Sequence, residues 1–217
     1  MKKLTKQAGL GVVVGLVVLV AGSRGSAAEI SFDFRDPKRV NNVTFVLDSD
    51  LEPIMGVASG IQGAVQFDPK KPQATTGKIE IEAKAVHVSN SRMLSKLQSE
   101  EWLDIANHTT ITFVIKSVKS AKRVKKKAGA SLLNVVGEFT IKGVTKEVAV
   151  MIEATHLPGR LGDRTHGRQK GDLLVLRSTF TLKRSDFGLG PNIPTVADEM
   201  EIRVAIAGGG APATKEK

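Results

Sequence analysis

Most of the chain alternates apolar and polar residues with a period of two. Val43, Phe45 and Leu47 alternate with Thr44, Val46 and Asp48, and Ile61, Gly63, Val65 and Phe67 alternate with Gln62, Ala64 and Gln66 before the turn Asp68-Pro69. Ile79, Ile81, Ala83 and Ala85 face away from Glu80, Glu82 and Lys84. The pattern returns at Ile111–Ile115, Leu133–Ile141, Val148–Ile152, Leu174–Leu182 and Met200–Ile206. Side chains on a strand point to opposite faces in turn, so these segments read as eight half-buried strands. Eight such strands cannot stay one open sheet with a bare apolar face. Closure into an antiparallel barrel removes the edges and leaves room for packed side chains or one small ligand. A two-sheet sandwich satisfies the same alternation.

The period changes once. Between Ser91 and Ile105, Met93, Leu94, Leu97 and Trp102 fall near helical spacing, with Ser89 or Asn90 as N-cap. The pattern therefore predicts an all-β fold with one short helix between the third and fourth strands. Pro158 to Asp172 is rich in Gly and charge, and Asp186 to Ala197 carries Gly188, Gly190, Pro191 and Pro194, so both read as loops. Residues 208–217 begin Gly-Gly-Gly-Ala-Pro and read as a disordered tail.

Composition narrows the class. A chain of 217 residues, 41% hydrophobic, suits one domain with a real core. The absence of Cys excludes a disulfide scaffold, a Cys-ligated zinc site and a thiol nucleophile. An aromatic content of 4% argues against an outer-membrane barrel with aromatic girdles. Residues 1–28 read as a secretory signal: Lys2, Lys3 and Lys6 precede an apolar run from Ala8 to Gly22, and Ser26-Ala27-Ala28 supplies a cleavage site. Cleavage near Ala28 predicts a periplasmic or secreted domain over residues 29–207. It also removes Lys2, Lys3, Lys6 and Arg24, taking the formal charge from +10 to +6.

No catalytic motif emerges. The sequence has no Gly-x-Ser-x-Gly elbow, no His-Glu-x-x-His and no phosphate-binding glycine loop. His87, His108, His156 and His166 share no ligand spacing, and Glu80 and Glu82 belong to a polar strand face. The reading is of a non-enzyme without metal or cofactor. Lys119, Lys122, Arg123, Lys125, Lys126 and Lys127 form a basic run between the fourth and fifth strands. It reads either as a solvated hairpin or as a contact for an anionic membrane surface. No aromatic residue is interleaved for base stacking, which disfavours nucleic acid.

Four segments in order carry a family resemblance. Gly60-Ile61-Gln62-Gly63-Ala64-Val65-Gln66-Phe67-Asp68-Pro69 resembles the second strand of YceI-like proteins. Trp102-Leu103-Asp104 ahead of Thr110-Ile111-Thr112-Phe113, and the stretch Val136 to Lys146, are similar to that family's helix end, fourth strand and following hairpin. Lys183-Arg184-Ser185-Asp186-Phe187-Gly188-Leu189 matches its Arg-Ser-Asp-Phe-Gly signature. The resemblance implies an exported, lipocalin-like eight-stranded barrel whose apolar cavity holds a polyisoprenoid or similar lipid, as a monomer or homodimer. On that reading, inward parity assigns Phe45, Phe67, Ile81, Phe113, Phe139, Ile152 and Phe180 to the lining. Met93, Leu97, Trp102 and Phe187 would cover an open end. The alternative is a packed barrel that binds a partner or an anionic surface through its loops. Within the signature, Asp186 is expected to cap the turn or pair with Arg184, and Gly188 to take a positive φ.

Overall fold

The computed structural model describes residues 29–36, 38–51, 53–191 and 195–211. The expected signal segment and residues 212–217 lie outside them. Eight long strands run up and down in chain order and close into a barrel; the sandwich is not formed. Three strands bend into two segments each: β1 (Ile30–Asp33) with β2 (Asn42–Ser49), β3 (Ile54–Ala58) with β4 (Ile61–Phe67), and β5 (Thr76–Glu82) with β6 (Val86–Val88). The others are β7 (Thr110–Arg123), β8 (Ala130–Ile141), β9 (Val144–Leu157), β10 (Asp172–Lys183) and β11 (Val196–Gly210). Neighbours in this series pair antiparallel, and β11 closes the ring onto both halves of the first strand, β2 and then β1. Cross-strand pairs keep one parity inside: Ile61 meets Ile81, Phe113 meets Phe139, and Ile202 meets both Phe45 and Phe180.

The first strand breaks because the chain leaves the wall after Phe34, whose N–H still donates to Gly63 O at 2.9 Å, and returns at Asn41. Asn41 repairs the gap. Its buried side chain donates to Phe34 O and Ala207 O, both at 3.0 Å, and accepts the Ala207 N–H at 2.9 Å, so an amide side chain replaces missing ladder bonds. Asp36 gathers the excursion around itself. It accepts the N–H groups of Val40 (2.7 Å) and Asn41 (2.6 Å) and meets Arg164 at 3.1 Å, with its side chain 4% exposed. Burial alone would raise the pKa of this carboxyl. The hydrogen bond from Asn41, the Arg164 guanidinium and the bond from Val40 outweigh burial and hold it below its ordinary value of 3.8. A depressed carboxylate stabilises the fold fully above its unfolded pKa and loses that contribution as pH falls through the folded one. Asp36→Asn should therefore lower stability at neutral pH. It should also flatten the loss of stability with acid below about pH 4, read by thermal unfolding across a pH series.

Two features depart from the sequence pattern. The Gly208-Gly209-Gly210 run is not tail but the end of β11, paired with β10 and, at its last two residues, with β1. A Cβ at Gly208 would lie 2.8 Å from the Phe34 ring, at Gly209 2.8 Å from Leu161 and at Gly210 2.7 Å from Ile30, so the run lets large side chains cross the closing strand. Besides the expected helix, α1 (Ser91–Gln98), a second short helix, α2 (Leu161–Thr165), forms inside the loop after β9. Its buried Leu161 is the side chain that packs over Gly209. No helix among the described residues is long and apolar enough to cross a membrane.

Candidate functional site: an apolar interior under a helical lid

The two ends of the barrel differ. At one end Phe32 and Phe67, both buried, pack against the His156 ring at centroid distances of 5.9 and 6.4 Å and form a floor. At the other end the wall extension formed by β2, β3 and β6 stands open, and α1 packs on β6 across the gap. The Asn90 side chain caps this helix by accepting the N–H groups of Arg92 (3.0 Å) and Met93 (3.1 Å). The helix stops at Gln98, short of the expected Ile105. Residues 99–109 form turns instead, with the Trp102 and Asp104 N–H groups both donated to Ser99 O.

Two cavities lie in series beneath this lid. The outer one, about 180 Å3, is roofed by Met93, Leu97 and Trp102 and walled by Phe45 and Ile81. The inner one, about 80 Å3, is lined by Phe113, Ile152, Phe180, Ile79, Ile115 and Val204. Val43, Ile81, Phe139 and Ile202 line both and form the partition. Phe139 is central to it, with ring centroids 5.9 Å from Phe113, 6.2 Å from Phe180 and 6.1 Å from Phe187. Among the described residues, the only ionisable side chain at the outer cavity is Lys96, which pairs with Glu101, and the only polar residues at the inner one are Arg177 and Ser178.

Nine of the eleven residues assigned from the sequence thus lie on this channel. Phe67 does not: it has the inward parity but sits one level too deep, in the floor. Phe187 is fully buried behind Phe139 and supports the partition rather than covering the mouth. Parity fixes which side of the wall a residue faces, and depth depends on where the strand starts.

A model of the YceI-like domain matches residues 36–207. The chain belongs to the YceI-like family. A UPF0312 protein of Azotobacter vinelandii is 24% identical to this YceI-like chain over 155 residues, covering 71% of this chain and 73% of the relative. Among solved structures, BcnA of Burkholderia cenocepacia superposes with a TM-score of 0.60 at 22% identity, over 77% of this chain and 95% of BcnA. A domain from Saccharophagus degradans described as polyisoprenoid-binding and implicated in plant cell wall breakdown gives a TM-score of 0.60 at 9% identity, over 84% of this chain and 99% of that one. At these identities the likeness concerns the fold.

The Arg-Ser-Asp-Phe-Gly segment of this YceI-like barrel locks the mouth. It forms a 3₁₀ turn, Arg184–Phe187, ended by Gly188 at φ 64°. The Arg184 side chain is wholly buried and donates to Ala197 O (2.9 Å), Val196 O (2.9 Å), Leu189 O (2.8 Å) and Gly190 O (2.8 Å). Its guanidinium lies 5.5 Å from the Trp102 ring centroid. The same ring lies on Gly190, where a Cβ would come within 2.5 Å of it. Burial lowers the Arg184 pKa and Asp198 partly offsets this; the group stays a cation. Asp186, expected to cap the turn, is exposed. Asp198 on β11 does the work, accepting from Ser185 N–H (2.9 Å) and Ser185 Oγ (2.8 Å), because the turn aims Ser185 back at the neighbouring strand. The Ser185 backbone bond is the main cause of a depressed Asp198 pKa.

A buried polar pair went unseen in the sequence. His156 Nε2 and Asp172 Oδ2 lie 2.9 Å apart in the floor, and Asp172 also accepts the Gly159 N–H at 2.8 Å. The pair tethers the loop after β9 and lines neither cavity. Glu80 meets Lys78 and Gln62, and Glu82 meets Lys84, so both lie on the outer surface. Among the described residues, no group of three His, Asp or Glu side chains could hold a metal ion. A third, open groove of about 590 Å3 lies outside the barrel between α2 and the segment that includes Asp33, Asp36 and Lys38, with mixed polar and apolar walls.

Proposed function

We propose that the protein binds a long apolar lipid, of the polyisoprenoid or a similar class, inside the barrel and carries or sequesters it in the periplasm. The observation that supports this best is the pair of hydrocarbon-lined cavities that share Val43, Ile81, Phe139 and Ile202 and reach from the lid toward the floor. The lining of the outer cavity of about 180 Å3 lacks packing partners on its inner side. A chain threading the channel recovers that packing, and each methylene removed from water adds about 0.8 kcal/mol. No head-group anchor or cofactor is needed for affinity. The polyisoprenoid-binding description of the Saccharophagus degradans neighbour agrees with this reading. So does the lining of both cavities, where no described nucleophile and base face each other, which favours a binder over an enzyme. The apolar segment and small-residue site within residues 1–28 support export.

Protein purified from the periplasm of its native host should yield a bound lipid with a long apolar chain on organic extraction and mass spectrometry. Its intact mass should begin at Glu29. A protein recovered there free of lipid would overturn the carrier reading in favour of a barrel that works through its loops.

A further inference from the structure

Three loops meet at the floor end of the barrel. They follow β4 (Asp68 to Thr75), β7 (Val124 to Gly129) and β9 (Pro158 to Gly171). Arg123, the last residue of β7, donates to Pro69 O in the first loop at 3.4 Å, and the His156 N–H near the end of β9 donates to Gly129 O at 2.9 Å, so the ends of the flanking strands tie the loops together. Together with the end of β7 they present Lys70, Lys71, Lys119, Lys122, Arg123, Lys125, Lys126, Arg168 and Lys170, all exposed. None of these nine forms an ion pair with a carboxylate among the described residues. Most nearby carboxylates are committed elsewhere: Glu153 to Lys127, Asp163 to Arg160, Asp172 to His156, while Asp68 is buried and accepts the Lys70 N–H; Glu29, ahead of β1, is the exposed exception. The opposite end is mixed, with an acidic excess. Asp48, Asp50, Glu100, Asp186 and Glu199 are exposed around the mouth and Asp198 is held ionised beside it, against exposed Arg92, Lys146 and Lys183, while Glu101 pairs with Lys96.

We infer that the floor end is a docking face for an anionic lipid bilayer, and that the docked barrel holds its lipid mouth away from that bilayer. The first half rests on the charge distribution alone; the second also rests on the mouth assigned above. A barrel with a cationic end and a mixed, net acidic one orients in the field of an anionic surface before contact. The face consists mainly of lysines, which are hydrated point charges suited to a diffuse, fluid anionic layer rather than to bidentate recognition of one group. Its loops contain no Phe, Trp or Tyr on which bases could stack, which argues against nucleic acid. The mouth lies roughly 30 Å away along the strands, several Debye lengths at physiological salt. Exchange of the bound lipid then takes place with an acceptor facing the mouth, not with the bilayer underneath.

The test uses protein from the native host with vesicles of phosphatidylcholine alone or mixed with phosphatidylglycerol. Co-sedimentation is expected only with the mixed vesicles at low salt, with release at about 1 M salt, where the Debye length falls to about 3 Å. The combined variant Lys122→Gln, Arg123→Gln, Lys125→Gln, Lys126→Gln should partition at least about a hundredfold less while keeping its unfolding midpoint. Trp102, the single tryptophan, stands at the mouth and reports orientation. Its emission should escape quenching by brominated phosphatidylglycerol in the bound state. Equal binding to neutral vesicles, an unaffected variant, or capture of DNA without vesicle binding would overturn the docking face. Quenched Trp102 on bound vesicles would overturn the orientation. Bound lipid in the extraction experiment is read independently, so a failed docking face leaves the cavity reading intact, and the reverse holds too.

Discussion

Arg184→Ala should lower the unfolding free energy by about 3–5 kcal/mol, more than any other single truncation at the mouth. Four backbone carbonyls, of residues 189, 190, 196 and 197, converge on this one guanidinium, and the side chain has no exposed surface. Removing it strands several buried acceptors, each costing about 1–3 kcal/mol when left unpaired, and water entering the gap recovers part of that. The same guanidinium supports the Trp102 ring, which in turn lies on Gly190. The loss therefore spreads from the loop to the lid. Arg184→Lys should rescue little, because one ammonium cannot reach four acceptors arranged for a planar fork. Urea unfolding measures the loss, and Trp102 emission shifts to the red at denaturant concentrations below global unfolding. An Arg184→Ala protein as stable as the parent would mean that the loop closes without its central donor.

The barrel was legible in the sequence because closure leaves a mark on every strand. Ile79, Ile81 and Ala83 against Glu80 and Glu82 is the pattern of a wall with water on one side only. Where the wall bends, the mark fades. β1, β3 and β6 have three to five residues each, too few for alternation to stand out, and Met55 and Val57 are apolar on the outer face. The glycine run at the end of β11 misleads for a different reason. Low complexity usually reports a chain that packs against nothing, whereas here Phe34, Leu161 and Ile30 supply the bulk that the glycines lack. Local composition cannot distinguish these cases, since the packing atoms are far away in sequence.

The site was legible to the same extent. Parity placed Phe45, Ile81, Phe113, Phe139, Ile152 and Phe180 on the interior, and helical spacing placed Met93 and Leu97 on one face of α1. Trp102 reached the mouth by a turn rather than a helix, a right position from an inexact local structure. The sequence could not show that Asp198 rather than Asp186 holds Ser185, because that bond crosses between β11 and the end of β10. Nor could it show that Asp172, sixteen residues past His156, would meet it in the floor. Both are contacts that exist only once the ring has closed.

Val204→Phe separates a lipid channel from a packed core, because the two readings give opposite signs. Val204 faces the inner cavity from β11, paired with Val43 on β2 and Ser178 on β10. If the void of about 80 Å3 is a real vacancy in the lipid-free protein, a phenyl ring filling it recovers up to about 2 kcal/mol. Delipidated Val204→Phe should then unfold at higher urea than delipidated parent. A barrel already packed to native density would instead lose about 1–3 kcal/mol to overpacking. Lipid binding moves the other way. The ring excludes roughly two or three methylenes of chain from the inner cavity, worth about 2 kcal/mol, so affinity should fall about thirtyfold. Shorter chains that occupy only the space under Met93, Leu97 and Trp102 should be spared, since Val204 does not line the outer cavity. A stabilised protein that discriminates by chain length is the signature of a channel filled from the lid downward. A destabilised one with unchanged lipid affinity would place the binding site elsewhere.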